Sequence, residues 1–319
     1  MIYQCEDSET GFLSAVFAAY ETKETPNQLV FTDVQTAMLS EIRRIPPDYE
    51  KATRVRAALL RRGGRRAADD LDKVLRSAEE DKMTAAFRYV RLTINERADV
   101  SGRLADPDVF RFQDIVRRVQ AERHRFTGFL RFLETKSGVY YAHYAPDNDI
   151  TALIAPHFRA RLSAQKFVIH DVKRNKLALC DGKQLRYAET DALPTIVLSE
   201  DEAALQTLWR TYFHTVAIEE RTNRRLQDNC LPRRYRRHMT EFGRQDEKQL
   251  TRTTGRGRQF SIIKKGARRT ARPFPPDENL IGTGGRKSAS IKRKAVPLLS
   301  ESSPDCPARW CLYRSAVPE

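Results

Sequence analysis

The sequence predicts an α+β fold, a mainly antiparallel sheet packed with several helices and followed by a disordered basic tail. Three observations lead there. Helical periodicity dominates the N-terminal half and returns after residue 199, five short β-prone runs lie between, and periodicity ends at residue 243. Runs of strands beside runs of helices, without regular βαβ alternation, indicate α+β rather than a doubly wound sheet.

Residues 1–4 read as a short first strand, and residues 11–20 set Phe12, Leu13, Val16, Phe17 and Tyr20 on one helical face. Residues 48–97 mix charges of both signs with Ala and Leu and are split by Gly63-Gly64, so two or three solvated helices packed by one face are expected. Asp106-Pro107 is a helix start, an acceptor side chain before an N1 proline, and Val109, Phe112, Val116 and Val119 carry that helix into His124. The period then changes. Residues 126–133, 139–144, 167–172, 177–180 and 184–187 are β-prone and separated by Ser137-Gly138 and Asp181-Gly182 turns. Between them, residues 150–162 read as a helix interrupted near Pro156.

Ser199 with Asp201 and Glu202 is a capping arrangement, and Leu205, Leu208, Trp209, Tyr212, Phe213 and Val216 follow as a regular apolar stripe. Glu219 and Glu220 fall where that stripe continues, which predicts one inward carboxylate paired with an arginine such as Arg221. A helix over 232–242 closes the expected domain. Two regions result: 1–242, with a helical first half, a sheet-containing middle and a helical end, and 243–319, a basic low-complexity tail expected to be disordered.

The net charge of +15 is segmental. Residues 1–220 balance 33 Lys and Arg against 33 Asp and Glu, whereas residues 221–238 hold seven Arg and one Asp. The tail holds 17 basic and 7 acidic residues. The five cysteines are scattered and odd in number, which fits a reducing compartment and makes the cytoplasm the expected location. The longest uncharged N-terminal run, residues 10–20, falls short of the ~18 apolar residues of a spanning helix, so no membrane association is expected.

The clearest chemistry is the cluster Arg221, Arg224, Arg225, Arg233, Arg234, Arg236 and Arg237 with Tyr235 among them. Guanidinium groups grip phosphate bidentately and a tyrosine offers a stacking surface, so nucleic acid is the expected ligand; a solvated basic face or an acidic protein partner is the competing reading. Phosphate contacts set affinity and register without reading bases. His124, His143, His157, His170, His214 and His238 show neither zincin spacing nor association with CxxC, so no metal or cofactor is expected. A weaker constellation joins His124 and Arg125 at a helix end, His157, and His170, Asp171 and Arg174 at a strand end, a candidate polar or phosphate site. Adjacent strand residues point to opposite faces, so His170 and Asp171 are not expected to orient one another, and a core role for His170 outweighs a catalytic one. Gly282 to Ser288 resembles a phosphate loop only superficially, because Arg286 interrupts the motif and no strand precedes it.

The segments His124-Arg125-Phe126-Thr127-Gly128-Phe129-Leu130-Arg131-Phe132, Ile154-Ala155-Pro156-His157-Phe158, Phe167-Val168-Ile169-His170-Asp171, and Ala217-Ile218-Glu219-Glu220-Arg221-Thr222-Asn223 running to Leu231-Pro232-Arg233-Arg234-Tyr235 resemble an uncharacterised bacterial family of probable DNA metabolism proteins. The resemblance covers about residues 1–242 and is strongest after residue 106; the tail lies outside it and reads either as an extension or as the remnant of a frameshifted fusion. It implies a domain of unknown function active in DNA metabolism or repair beside a radical SAM DNA-modification or repair protein, with some members fused to a uracil-DNA glycosylase-like domain. The chain has no Cys-x3-Cys-x2-Cys run, so it would be the companion of such an enzyme. Three readings stay open: a nucleic-acid-binding accessory protein, a nucleic-acid or nucleotide-processing enzyme using the histidine-containing site, and a protein-docking module. Whether the chain is an enzyme is undecided at this point.

Overall fold

The computed structural model describes residues 1–31, 41–190 and 196–242, all within one unit, Met1–Thr253. The boundary expected at residue 243, the tail 243–319 and Gly282 to Ser288 lie outside the described residues.

β1 (Ile2–Cys5) is buried along its length. Ser8 starts α1 (Glu9–Glu21) by accepting a hydrogen bond from the Gly11 N–H, and α1 buries Phe12, Leu13 and Val16. Two further strands, β2 (Gln28–Phe31) and β3 (Ile42–Arg44), flank β1, both parallel to it. The sequence analysis did not anticipate them. They are four and three residues long and find their partner only through tertiary contact, so they carry no local period.

α2 (Tyr49–Leu75) contains the break expected at Gly63-Gly64: Gly64 adopts φ 74° and ψ 179°, a conformation that splits the helix in two and that only glycine adopts without strain. α3 (Lys82–Glu96) makes the third helix of this region. α4 (Pro107–Phe129) begins at Asp106, whose carboxylate accepts from the Asp108 and Val109 N–H groups. It does not end at His124. The first half of the strand expected over 126–133 is instead helix and only Leu133 is strand, because Val119, Glu122 and Phe126 continue one buried helical face, and that burial overrides the β-prone composition. α4 thereby joins two cores. Its Val109 to Val116 stretch packs with α1, α2 and α3, and Val119 and Phe126 pack with the second sheet.

That sheet runs in the order β4 (Leu133–Glu134), β5 (Tyr140–Tyr144), β6 (Phe167–Asp171), β7 (Lys176–Cys180) and β8 (Leu185–Glu189). Three of its four pairings are antiparallel; β5 and β6 are parallel, joined by α5 (Thr151–Leu162). The α+β class holds, with a wholly parallel first sheet and a mixed second one. α5 passes through Pro156 without the expected interruption. Pro156 is exposed and costs the helix one N–H, while Ile154, Ala155 and Phe158 on the buried side hold it to the sheet.

α6 (Glu200–Thr215) follows Ser199, but the Ser199 side chain makes no cap bond. The apolar stripe expected to bury α6 is largely exposed: Leu208 is 66% accessible, and Leu205, Tyr212 and Val216 are also open. The buried residue of α6 is Glu202, which accepts from the Glu134 N–H at 2.9 Å and fastens the helix to β4. Glu219 and Glu220, one of which was expected inside, are both exposed in a 3-10 turn, Glu219–Arg221. α7 (Arg224–Cys230) and α8 (Arg233–Arg236) end the described chain. The helix expected over 232–242 is thus four residues long. Tyr235, Met239 and Glu241 are all buried, and residues 239 and 241 would sit about 200° apart on a helix, so turns are needed to bury them together.

Among the described residues no helix is long and apolar enough to cross a membrane.

Candidate functional site

The arginine segment divides into two groups. Arg221, Arg224 and Arg225 are exposed, and no carboxylate among the described residues pairs with them. The other group is tied down. Arg233 and Arg236 both reach Asp228, at 2.8 and 2.6 Å, and hold its carboxyl below the ordinary range. Arg234 donates from Nε and Nη2 to Asp147 Oδ2 at 3.0 and 2.7 Å and lies over the Tyr235 ring. Arg237 is exposed and donates from Nε to His238 Nε2.

Tyr235 cannot be the stacking platform expected of it. It is 2% exposed, and its ring packs edge-on against Phe126 at 4.8 Å. Its hydroxyl lies 2.7 Å from Glu122 Oε1 and 2.9 Å from Asp147 Oδ2. Burial raises the Tyr235 pKa, and the Glu122 hydrogen bond raises it further, so this group is a fixed donor. Glu122 also accepts from the Asp147 and Asn148 N–H groups and from the Asn148 amide. The carboxylate thus gathers α4, the loop between β5 and α5, and α8 into one buried polar knot.

Asp171 and Arg174 extend the knot. Asp171 is 0% exposed and accepts from Arg174 Nη1 at 3.0 Å, while the guanidinium also donates to the Pro146 and Asp147 carbonyls. Burial raises the Asp171 pKa against the opposing pull of Arg174. This half of the expected polar constellation is therefore a brace for the 145–149 loop.

The other half does not assemble. His124 and Arg125 lie on α4 with His124 exposed, and His157 is exposed on α5, where burial and then the charges of Arg161 and Arg123 lower its pKa. Ile169 faces the core that contains α5, so His170, its neighbour on β6, faces the other side of the sheet. His124, His157 and His170 do not converge on one cleft.

A different set of histidines does come together. His143 and His170 are register partners on β5 and β6 and share the outer face of the sheet with Tyr141. The Tyr141 hydroxyl is 2.7 Å from His170 Nδ1, and the Tyr141 and His143 rings stack at 5.9 Å. His238 meets His143 edge to face at 5.0 Å. Burial lowers the pKa of all three imidazoles, that of His238 to about 4, and raises that of Tyr141 to about 12. At neutral pH the cluster is uncharged apart from Arg237. His170 Nε2 and His238 Nδ1 are buried without a hydrogen-bond partner among the described residues. No group of three or more His, Cys, Asp or Glu among these residues has the geometry to hold a metal ion.

The family DUF4130, a domain of unknown function, matches residues 80–241. The chain belongs to this family. No curated protein matches the chain. The DUF4130 region starts just before α3 and contains the whole Glu122–Tyr235 knot and the whole histidine cluster, whereas the parallel sheet, α1 and α2 precede it. Sequence reasoning missed His143 and His238 as site residues and Glu122 and Asp147 as partners of the arginine segment. The alternation of Tyr141 and His143 on one strand face was a usable signal. The parallel register that brings His170 beside His143 was not, since it is set across α5.

Proposed function

We propose that this DUF4130 protein is a DNA-metabolism accessory protein that contacts nucleic-acid phosphate through Arg221, Arg224 and Arg225, with Arg233, Arg234 and Arg237 at the rim, and that it acts beside a radical SAM DNA-modification or repair protein. The supporting observation is the division of labour within the segment. Arg233 and Arg236 pair within the segment with Asp228 and Arg234 ties it to Asp147, while the first three arginines stand exposed with no carboxylate partner among the described residues. Cations without an internal partner are available to displace counterions from a phosphate backbone. Phosphate contacts set affinity and register without reading bases, so binding that depends on them is expected to be independent of sequence.

The test is a salt titration of binding by the full chain to duplex and single-stranded DNA. Changing Arg221, Arg224 and Arg225 to Ala lowers affinity and flattens log K against log salt by about 0.9 per lost contact on a duplex, or about 0.7 on a single strand. Unchanged affinity and slope would remove this surface from the proposal.

A second reading, a protein-docking module, draws on α6, where Leu205, Leu208 and Tyr212 are exposed. Retention of the radical SAM protein by the full chain, lost on Leu208→Asp and accompanied by no DNA binding, is the result that would favour it.

A further inference from the structure

The histidine cluster on the outer face of the second sheet has unmet hydrogen-bonding capacity of one kind. Arginine is only a donor, so His238 Nε2, which faces Arg237 Nε at 2.9 Å, is an acceptor, and the ring proton of neutral His238 sits on Nδ1. That N–H is one of the two buried orphans. The Tyr141 hydroxyl, kept protonated by burial, is 2.7 Å from His170 Nδ1; with the hydroxyl as donor, the ring proton of His170 is on Nε2, the second orphan. The residue carrying this second N–H is 0% exposed. His143 connects the two rings, as register partner of His170 and edge-to-face neighbour of His238. No carboxylate contacts Tyr141, His143, His170, Arg237 or His238 among the described residues.

A buried donor without an acceptor is a standing cost that a ligand oxygen removes. Two such donors beside a guanidinium define an acceptor-rich, negatively charged ligand. We propose that Tyr141, His143, His170, Arg237 and His238 form an oxyanion site whose ligand is a phosphate group, bound by His170 Nε2–H, His238 Nδ1–H and Arg237. Neutral imidazoles donate without the desolvation cost of a buried cation, and Arg237 supplies the charge from the rim. The site shares Arg237 with the rim of the nucleic-acid surface proposed above but does not use Arg221, Arg224 or Arg225, so the triple alanine variant at those three positions, which leaves the histidine site intact, separates the failure of one proposal from the failure of the other.

The test is ring 15N–1H NMR of the full chain labelled at histidine, titrated at low ionic strength with inorganic phosphate. Saturable shifts of the His170 and His238 signals are expected, with those of exposed His124, His157 and His214 unmoved. His170→Gln and His238→Gln each weaken phosphate binding by about tenfold. Parallel titrations with a nucleoside monophosphate and with a single-stranded oligonucleotide separate the sources: tighter binding of the first assigns the site to a free nucleotide, tighter binding of the second to a phosphodiester backbone. Absence of a saturable shift at tens of millimolar phosphate, or equal shifts at the exposed histidines, overturns the proposal. The wild-type titration decides the matter even where a variant fails to fold.

Discussion

The Tyr235 hydroxyl meets Glu122 Oε1 at 2.7 Å across 113 residues of sequence. This contact explains why a tyrosine sits among arginines. Its neighbours Arg233 and Arg234 face outward and pair with Asp228 and Asp147, while the tyrosine turns inward and closes the domain against α4.

Removing that hydroxyl should therefore cost stability. Tyr235→Phe leaves the ring packing against Phe126 in place but withdraws a donor from a buried carboxylate, a loss of about 1.5–3 kcal/mol. Urea unfolding should show a lower midpoint with an unchanged slope.

The arginines should separate by assay. Changing Arg221, Arg224 and Arg225 to Ala breaks no ion pair among the described residues and should leave stability within about 0.5 kcal/mol. Arg234→Ala breaks a half-exposed ion pair and should cost roughly 0.2–1 kcal/mol, and Arg233→Ala, which breaks a fully exposed and solvent-screened pair, should lower the midpoint less. Thermal unfolding of the two sets distinguishes them.

Arg174→Ala should be more damaging than any of these. It strips Asp171, a fully buried carboxylate, of its counter-ion and frees the 145–149 loop, at a cost of about 3 kcal/mol. The part-exposed guanidinium places the effect at the lower end of the range for buried pairs. Calorimetry of the variant, with Arg174→Lys as a partial rescue, measures it.

The histidine cluster predicts the direction of pH dependence. Burial depresses the pKa values of His143, His170 and His238, so between about pH 6.5, where unfolded histidine titrates, and about 4, the folded value for His238, the unfolded chain binds protons that the folded chain refuses. Their contribution is complete above this window and is lost as pH falls through it. Stability measured from pH 7 to 4 should decline, and His238→Gln should flatten the decline; an identical profile would show that His238 does not titrate in this way.

Much of the architecture is local enough to be legible in one sequence. The Asp106 cap, the apolar faces of α1 and α4, the Gly64 break and the antiparallel strands β6, β7 and β8 all rest on contacts between near neighbours. The errors arose where a distant partner outweighed local preference. Phe126 joined a helix because Tyr144 and Tyr235 await its ring, and residues 232–242 turned because three inward side chains do not share a helical face.

The sequence by itself determined that the chain is α+β and that its positive charge gathers after residue 220, since periodicity and charge are properties of the chain alone. Only the tertiary structure decided which arginines pair with carboxylates among the described residues, that Tyr235 is a bolt and not a platform, and that His143, His170 and His238 meet. Each of these depends on atoms brought together from segments dozens of residues apart, and hydrogen bonds and ion pairs act over a few ångströms of space, whatever their separation along the chain.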